Sequence, residues 1–157
     1  MISFSALLLG SALMASTAQP MQMPQLERNS QRVVEWFASA SGLQTFGCND
    51  ASFAYIDGFL SRQADTLNAS QQTSDRVVSL IGSFLGQCVV QVYGGRWVSS
   101  GTGLAVEVKT PRHVHRVQPF DKVAKRLRDG DSESLVTYYR DLLPTVFGNQ
   151  PESASAN

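Results

Sequence analysis

The chain lacks a dominant charge: thirteen basic and thirteen acidic residues cancel at neutral pH. A protein that grips a phosphate backbone needs a positive surface, so nucleic acid is not an expected partner. Histidine and cysteine are scarce, two of each in 157 residues. That leaves no second cluster of the kind that completes a metal site, and little material for Cys–His catalysis. A phosphate loop is also missing. Gly101-Thr102-Gly103 lacks the strand–glycine–lysine–helix order and reads as a hairpin turn. Beyond the N-terminal segment no apolar run reaches the roughly 18 residues that cross a bilayer, so no membrane span is expected once that segment is removed. What remains is a chain with 43% hydrophobic residues, long enough for one ordinary core and short for two.

The N-terminal segment itself has an apolar centre followed by Ser16-Thr17-Ala18, small residues where a signal peptidase reads. Residues 1–18 are therefore expected to be a secretory signal, cleaved before Gln19, which places the protein in the periplasm or outside the cell. No Lys or Arg precedes the apolar centre, so a start at Met21 or Met23, giving a cytosolic protein, is the competing reading. Residues 19–25, with Pro20, Pro24 and several Gln, read as a flexible leader. Residues 26–147 read as a single domain and 148–157 as a disordered tail.

Within the domain the apolar period is first helical. Val33, Val34, Trp36, Phe37 and Ala40 mark a helix from Leu26 to Ala40, with Gly42 as its stop. Asn49 or Asp50 caps a second, carrying Phe53, Ile56, Leu60, Ala64 and Leu67. After a polar linker from Asn68 to Thr73, Ser74 caps a third, whose broad apolar face runs from Val77 to Val92. Gly94-Gly95 ends it, because the chain must turn left-handed there. The period then changes to two. Leu104, Val106 and Val108 share one strand face while Glu107 and Lys109 share the other, wet one. Arg96 to Ser99 and His113 to Gln118 flank this strand as partners. Pro119 opens a helix with Phe120, Val123, Ala124 and Leu127, Asp129-Gly130-Asp131 breaks it, and Ser132 to Phe147 forms the last, shortened or kinked by Pro144. The expected fold is α+β: about three N-terminal helices, a three-stranded antiparallel meander and two C-terminal helices.

Leu85-Gly86-Gln87, Gly94-Gly95-Arg96-Trp97, Pro119-Phe120-Asp121-Lys122-Val123 and Asp129-Gly130-Asp131 together resemble an uncharacterised bacterial domain. Its members share a helix ending in a Leu-Gly-Glu-like step, a Gly-Gly-x-Trp corner, a small meander and a Pro-Phe-x-Lys-Val helix before an Asn-Gly or Asp-Gly break. The resemblance covers about Arg76 to Leu143, and it implies a fold more than a function. Gln87 stands where members carry an acid; if that acid is catalytic in them, an amide here is no general base, and the departure argues against enzymatic activity.

Few residues suggest chemistry. Two residues apart on a strand, His113 and His115 share a face and could ligate one metal, with Glu107 on the neighbouring strand as third ligand; otherwise they are two exposed histidines beside basic Arg112 and Arg116. Cys48 and Cys88 could pair in an oxidising compartment, or Cys88 could pack as a small hydrophobe. Tyr93, Arg96 and Trp97 are of types enriched in interface hot spots, while a Trp at a helix–sheet corner also suits a core. The basic stretch Lys122 to Arg128 reads as the solvated face of a helix, able to meet an acidic partner or an anionic membrane. In Asp129-Gly130-Asp131-Ser132-Glu133 the acids lack a calcium loop, and Asp131 or Ser132 reads as a helix cap. With no catalytic set and no cofactor expected, the reading is a small exported non-enzymatic binding protein with a protein partner, such as an immunity-type inhibitor. The alternatives are a metal-dependent hydrolase on His113, His115 and Glu107, and a cytosolic interaction module.

Overall fold

The computed structural model describes residues 23–101 and 103–148. The expected signal segment, the start of the leader and all but the first residue of the expected tail lie outside them. Helix α1 runs Met23–Ala40, so residues 23–25 of the expected leader are helical. Leu26, Val33 and Phe37 face inward, whereas Trp36, expected among them, is 59% exposed. Asn29 is buried with a purpose, donating to the hydroxyls of Ser79 and Ser83 at 3.2 and 3.4 Å. These bonds tie α1 to the long central helix.

Helix α2 is Asp50–Arg62, capped by Asn49, whose side chain accepts from the Ser52 amide at 2.9 Å. It does not continue to Leu67 as expected, because the chain turns at Gln63 into a one-turn helix α3, Ala64–Leu67. Helix α4 spans Gln71–Tyr93 and starts earlier than expected. Its cap is Ser70, not Ser74, with the Ser70 hydroxyl accepting from Thr73 N at 3.2 Å. Ser74 Oγ instead donates back to the Leu67 carbonyl at 2.8 Å. Gly94 ends α4 with φ of +68°, a conformation in which a Cβ would meet its own backbone.

Strands β1 (Arg96–Ser100), β2 (Gly103–Lys109) and β3 (Val114–Val117) form an antiparallel meander in that order. Trp97 pairs with Val106 and Arg96 with Glu107; across the second ladder Glu107 pairs with Arg116 and Val108 with His115. The third strand begins one residue later than expected, since His113 closes the turn by exchanging bonds with Thr110. Helix α5, Pro119–Asp129, lies with α4 against the inner face. A single 3₁₀ turn, Gly130–Glu133, leads to α6, Leu135–Thr137, a π turn, Tyr138–Leu142, and α7, Leu143–Phe147. Neither Asp131 nor Ser132 caps α6; Ser134 does, accepting from Thr137 N at 3.1 Å. The π turn lies just before Pro144. With no N–H to give Arg140 four residues back, proline cannot continue a regular ladder, and Leu143 N–H reaches five back to Tyr138 instead.

The core is built on α4. Phe84 meets Phe46 and Phe53, and Phe53 stacks on Tyr139 at 4.3 Å between ring centres. Among the described helices α4 alone is long and apolar enough to cross a membrane, yet Ile81, Phe84, Leu85, Cys88 and Val89 are buried against the rest of the fold. The glycines of α4 make the docking possible. A Cβ on Gly86 would overlap the Trp97 indole, and one on Gly82 would lie 2.5 Å from the Phe120 ring. Trp97 and Phe120, 5.8 Å apart, therefore seat the sheet and α5 directly on the α4 backbone.

Candidate functional site

The outer face of the sheet carries the most organised cluster of charge left accessible. Strand alternation turns Arg96 and Val98, then Ala105, Glu107 and Lys109, then Val114 and Arg116 away from α4. Glu107 was expected on a wet face, but it is only 7% exposed. Two guanidinium groups cover it. Arg96 Nη2 donates to Oε1 at 2.8 Å and Arg116 Nη2 to Oε2 at 3.4 Å. The hydrogen bond from Arg96, more than any other influence, holds the Glu107 carboxyl below its ordinary value of 4.5. The arginines themselves remain 68% and 59% exposed. A shallow cleft of about 310 Å³, lined by Gly94, Arg96, Glu107 and Lys109, opens beside them.

This cluster takes over only part of the expected patch. Tyr93, Arg96 and Trp97 do not share a surface. Tyr93 is 9% exposed and its ring packs on Phe147 at 4.8 Å, while Trp97 points to the opposite sheet face from Arg96 and lies on Gly86. Burial raises the Tyr93 hydroxyl above its ordinary value. The Trp97 Nε1 is buried with no hydrogen-bond partner, which marks that side chain as filling space at a polar cost.

The three expected metal ligands do not converge either. His113 and His115 do lie together, with ring centres 5.8 Å apart. Glu107 pairs with Arg116, one position out of phase with His115, and so projects from the other face of the sheet. Among the described residues no group of three His, Cys, Asp or Glu side chains could hold an ion. Cys48 and Cys88 are joined in a disulfide with Cα atoms 5.2 Å apart, so neither is a free nucleophile.

The basic stretch of α5 is not a free cationic face. Lys122 pairs with Glu133 at 2.6 Å, Lys125 with Asp121, and Arg128 with Asp129. Arg126, expected in solvent, is 3% exposed. It donates to Asp57 Oδ1 at 2.7 Å, to the Asp57 carbonyl at 3.0 Å, to Ser61 Oγ at 2.6 Å and to Asp131 Oδ1 at 2.8 Å. Asp57 in turn accepts from the Leu135 and Val136 amides and the Ser134 hydroxyl at 2.8–3.0 Å, so it holds the start of α6. The sequence held a signal for this: Arg126 stands three residues after Val123 and one before Leu127, inside the apolar stripe. A second cleft of about 300 Å³ lies between α1 and α4, lined by Glu27, Ser30, Gln31, Val34, Gln87 and Gln91. It contains Gln87, on a different side of α4 from Gly86 and the sheet.

Comparison with protein families, curated proteins and solved structures returns no match for this chain. The fold is α+β, and three of the four motifs behind the bacterial-domain resemblance meet in space as packing devices, Trp97 and Pro119 both closing on Gly86. What the outer face can do chemically is narrow. A carboxylate already held by two cations is a poor base, whereas guanidinium groups with donors to spare are suited to binding carboxylates.

Proposed function

We propose that this is a non-enzymatic binding protein, exported to the periplasm or cell exterior, whose outer sheet face docks an acidic surface on a protein partner in the manner of an immunity-type inhibitor. The observation that carries the reading is the Arg96–Glu107–Arg116 cluster. Glu107 steers both guanidinium groups while leaving most of each in water, so an incoming carboxylate meets donors whose positions are already set. The segment from Arg96 to Arg116 also concentrates charge, with four of the thirteen basic residues and one of the thirteen acidic. A locally positive face on a neutral molecule steers acidic partners without drawing polyanions to the whole surface. The Cys48–Cys88 bridge supports an oxidising compartment.

A photo-crosslinking residue in place of Val98, two positions from Arg96 on the same face of β1, tests the reading in the native host. The expected result is a single crosslinked partner, lost when Arg96 and Arg116 are both changed to Glu and weakened by salt. A crosslinked partner whose capture is unchanged by that double reversal would remove the outer face from recognition. Sequencing the mature N-terminus separates export, with a start at Gln19, from a cytosolic start at Met21 or Met23.

A further inference from the structure

We propose that His113 and His115 form a two-nitrogen chelate for a divalent late first-row transition ion, on the opposite side of the sheet from the recognition face and independent of it. The backbone of His113 and the ring of His115 are held in place. His113 is exposed at the end of the β2–β3 turn, where its amide donates to Thr110 Oγ1 at 3.1 Å and its carbonyl accepts from Thr110 N at 2.8 Å and Thr110 Oγ1 at 3.0 Å. His115 is locked in the ladder opposite Val108, and its ring stands edge-on against Phe147 at 5.6 Å.

The spacing suits a shared ion. With a metal–nitrogen bond of about 2.0–2.1 Å, each ring centre lies about 3.2 Å from the ion, so a tetrahedral angle places two ring centres about 5.2 Å apart. The observed separation of the rings is 5.8 Å, at 74° to one another, within about 1 Å of that value. Of the two cations that argue against a metal in the sequence, Arg116 projects from the other face and is tied to Glu107, while Arg112 stays exposed in the turn beside His113. Two neutral imidazoles select Zn²⁺, Ni²⁺ or Cu²⁺ over the oxygen-seeking Ca²⁺ and Mg²⁺. The remaining positions on the ion are left to water or to a donor from a second molecule.

Calorimetric titration of the tag-free protein with zinc chloride and with nickel chloride tests the site. Saturable binding is expected at one ion per chain, or one per two chains where a second copy completes the shell. His113→Ala, at an exposed turn, is expected to weaken it about tenfold or more, and His115→Ala equally, while Glu107→Gln leaves it unchanged. Paramagnetic nickel should broaden the imidazole proton resonances of both histidines in the unaltered protein, a readout that does not depend on any variant folding. Absence of that broadening, or ion binding that survives in the double His113→Ala, His115→Ala protein, overturns the proposal. Loss of binding in Glu107→Gln also overturns it, by returning the carboxylate to the ligand set.

Discussion

At the scale of single residues, two glycines one turn apart on α4, Gly82 and Gly86, let β1 and α5 dock on its backbone. Gly86 takes the Trp97 indole against bare helix backbone, with Pro119 Cγ also only 3.0 Å from where a Cβ would stand. Alanine is the better helix former by about 1 kcal/mol, so on propensity alone Gly86→Ala should stabilise. Packing decides otherwise. The extra methyl collides with a ring system wedged between α4, β1 and α5, and overpacking of this kind costs about 1–3 kcal/mol. Gly86→Ala is therefore expected to lower the urea midpoint and to shift tryptophan emission as Trp97 moves. An unchanged midpoint would show that the indole has room to slide. The same residue scale explains why the expected patch fails: Arg96 and Trp97 are adjacent on a strand and so face opposite ways, and Tyr93 ends α4 with its ring on Phe147.

Elements are held to one another here by a buried ion pair as well as by the core. Arg126 on α5 reaches Asp57 on α2, and Asp57 carries the first amides of α6, so three helices share one carboxylate. The pair sits at 3% and 12% side-chain exposure. Removing one partner leaves the other charged without its main compensation, at about 3–5 kcal/mol. Arg126→Ala should thus cost more than Ser134→Ala, which removes an N-cap worth about 1 kcal/mol together with one hydrogen bond to Asp57 Oδ2. Chemical unfolding of both variants checks this, and equal losses would mean that the carboxylate is satisfied by α6 alone. The elements were largely readable beforehand, because periods of 3.6 and 2, Asn49, Gly94, Pro119 and Gly130 act locally. What was not readable among the elements is the choice between competing local signals: Ser70 captures the cap from Ser74, α2 breaks at Gln63, and the π turn answers Pro144. The candidate sites divide by range. The His113–His115 proximity is a property of one strand, whereas the Arg96–Glu107–Arg116 cluster exists only through the ladder register that brings three strands together.

On the scale of the whole molecule, the Cys48–Cys88 bridge closes a loop of 40 residues that contains α2, α3 and most of α4. By chain entropy such a loop contributes about 3–4 kcal/mol, so changing both cysteines to Ala should lower the melting temperature without altering the secondary structure seen by circular dichroism. The other molecule-wide test comes from pH. Burial first, with nearby acidic groups adding to it, pushes the Tyr138 and Tyr139 hydroxyls from 10.0 up to about 12. Tyr139 also donates to the Cys48 carbonyl at 2.8 Å, a bond that the phenolate cannot make. Below the unfolded value both folded and unfolded chains keep these protons, and the tyrosines contribute fully. Above it the unfolded chain releases protons that the folded chain retains, so stability falls as pH rises from about 10 towards about 12, by up to about 1.4 kcal/mol per pH unit for each tyrosine. Denaturant melts across this window should show that decline, and Tyr139→Phe should flatten it by removing one titrating group. The phenolate absorbance of Tyr138 and Tyr139 in the native protein should rise only as the pH approaches about 12. A single early rise covering every tyrosine would mean that the C-terminal helix opens before its hydroxyls ionise.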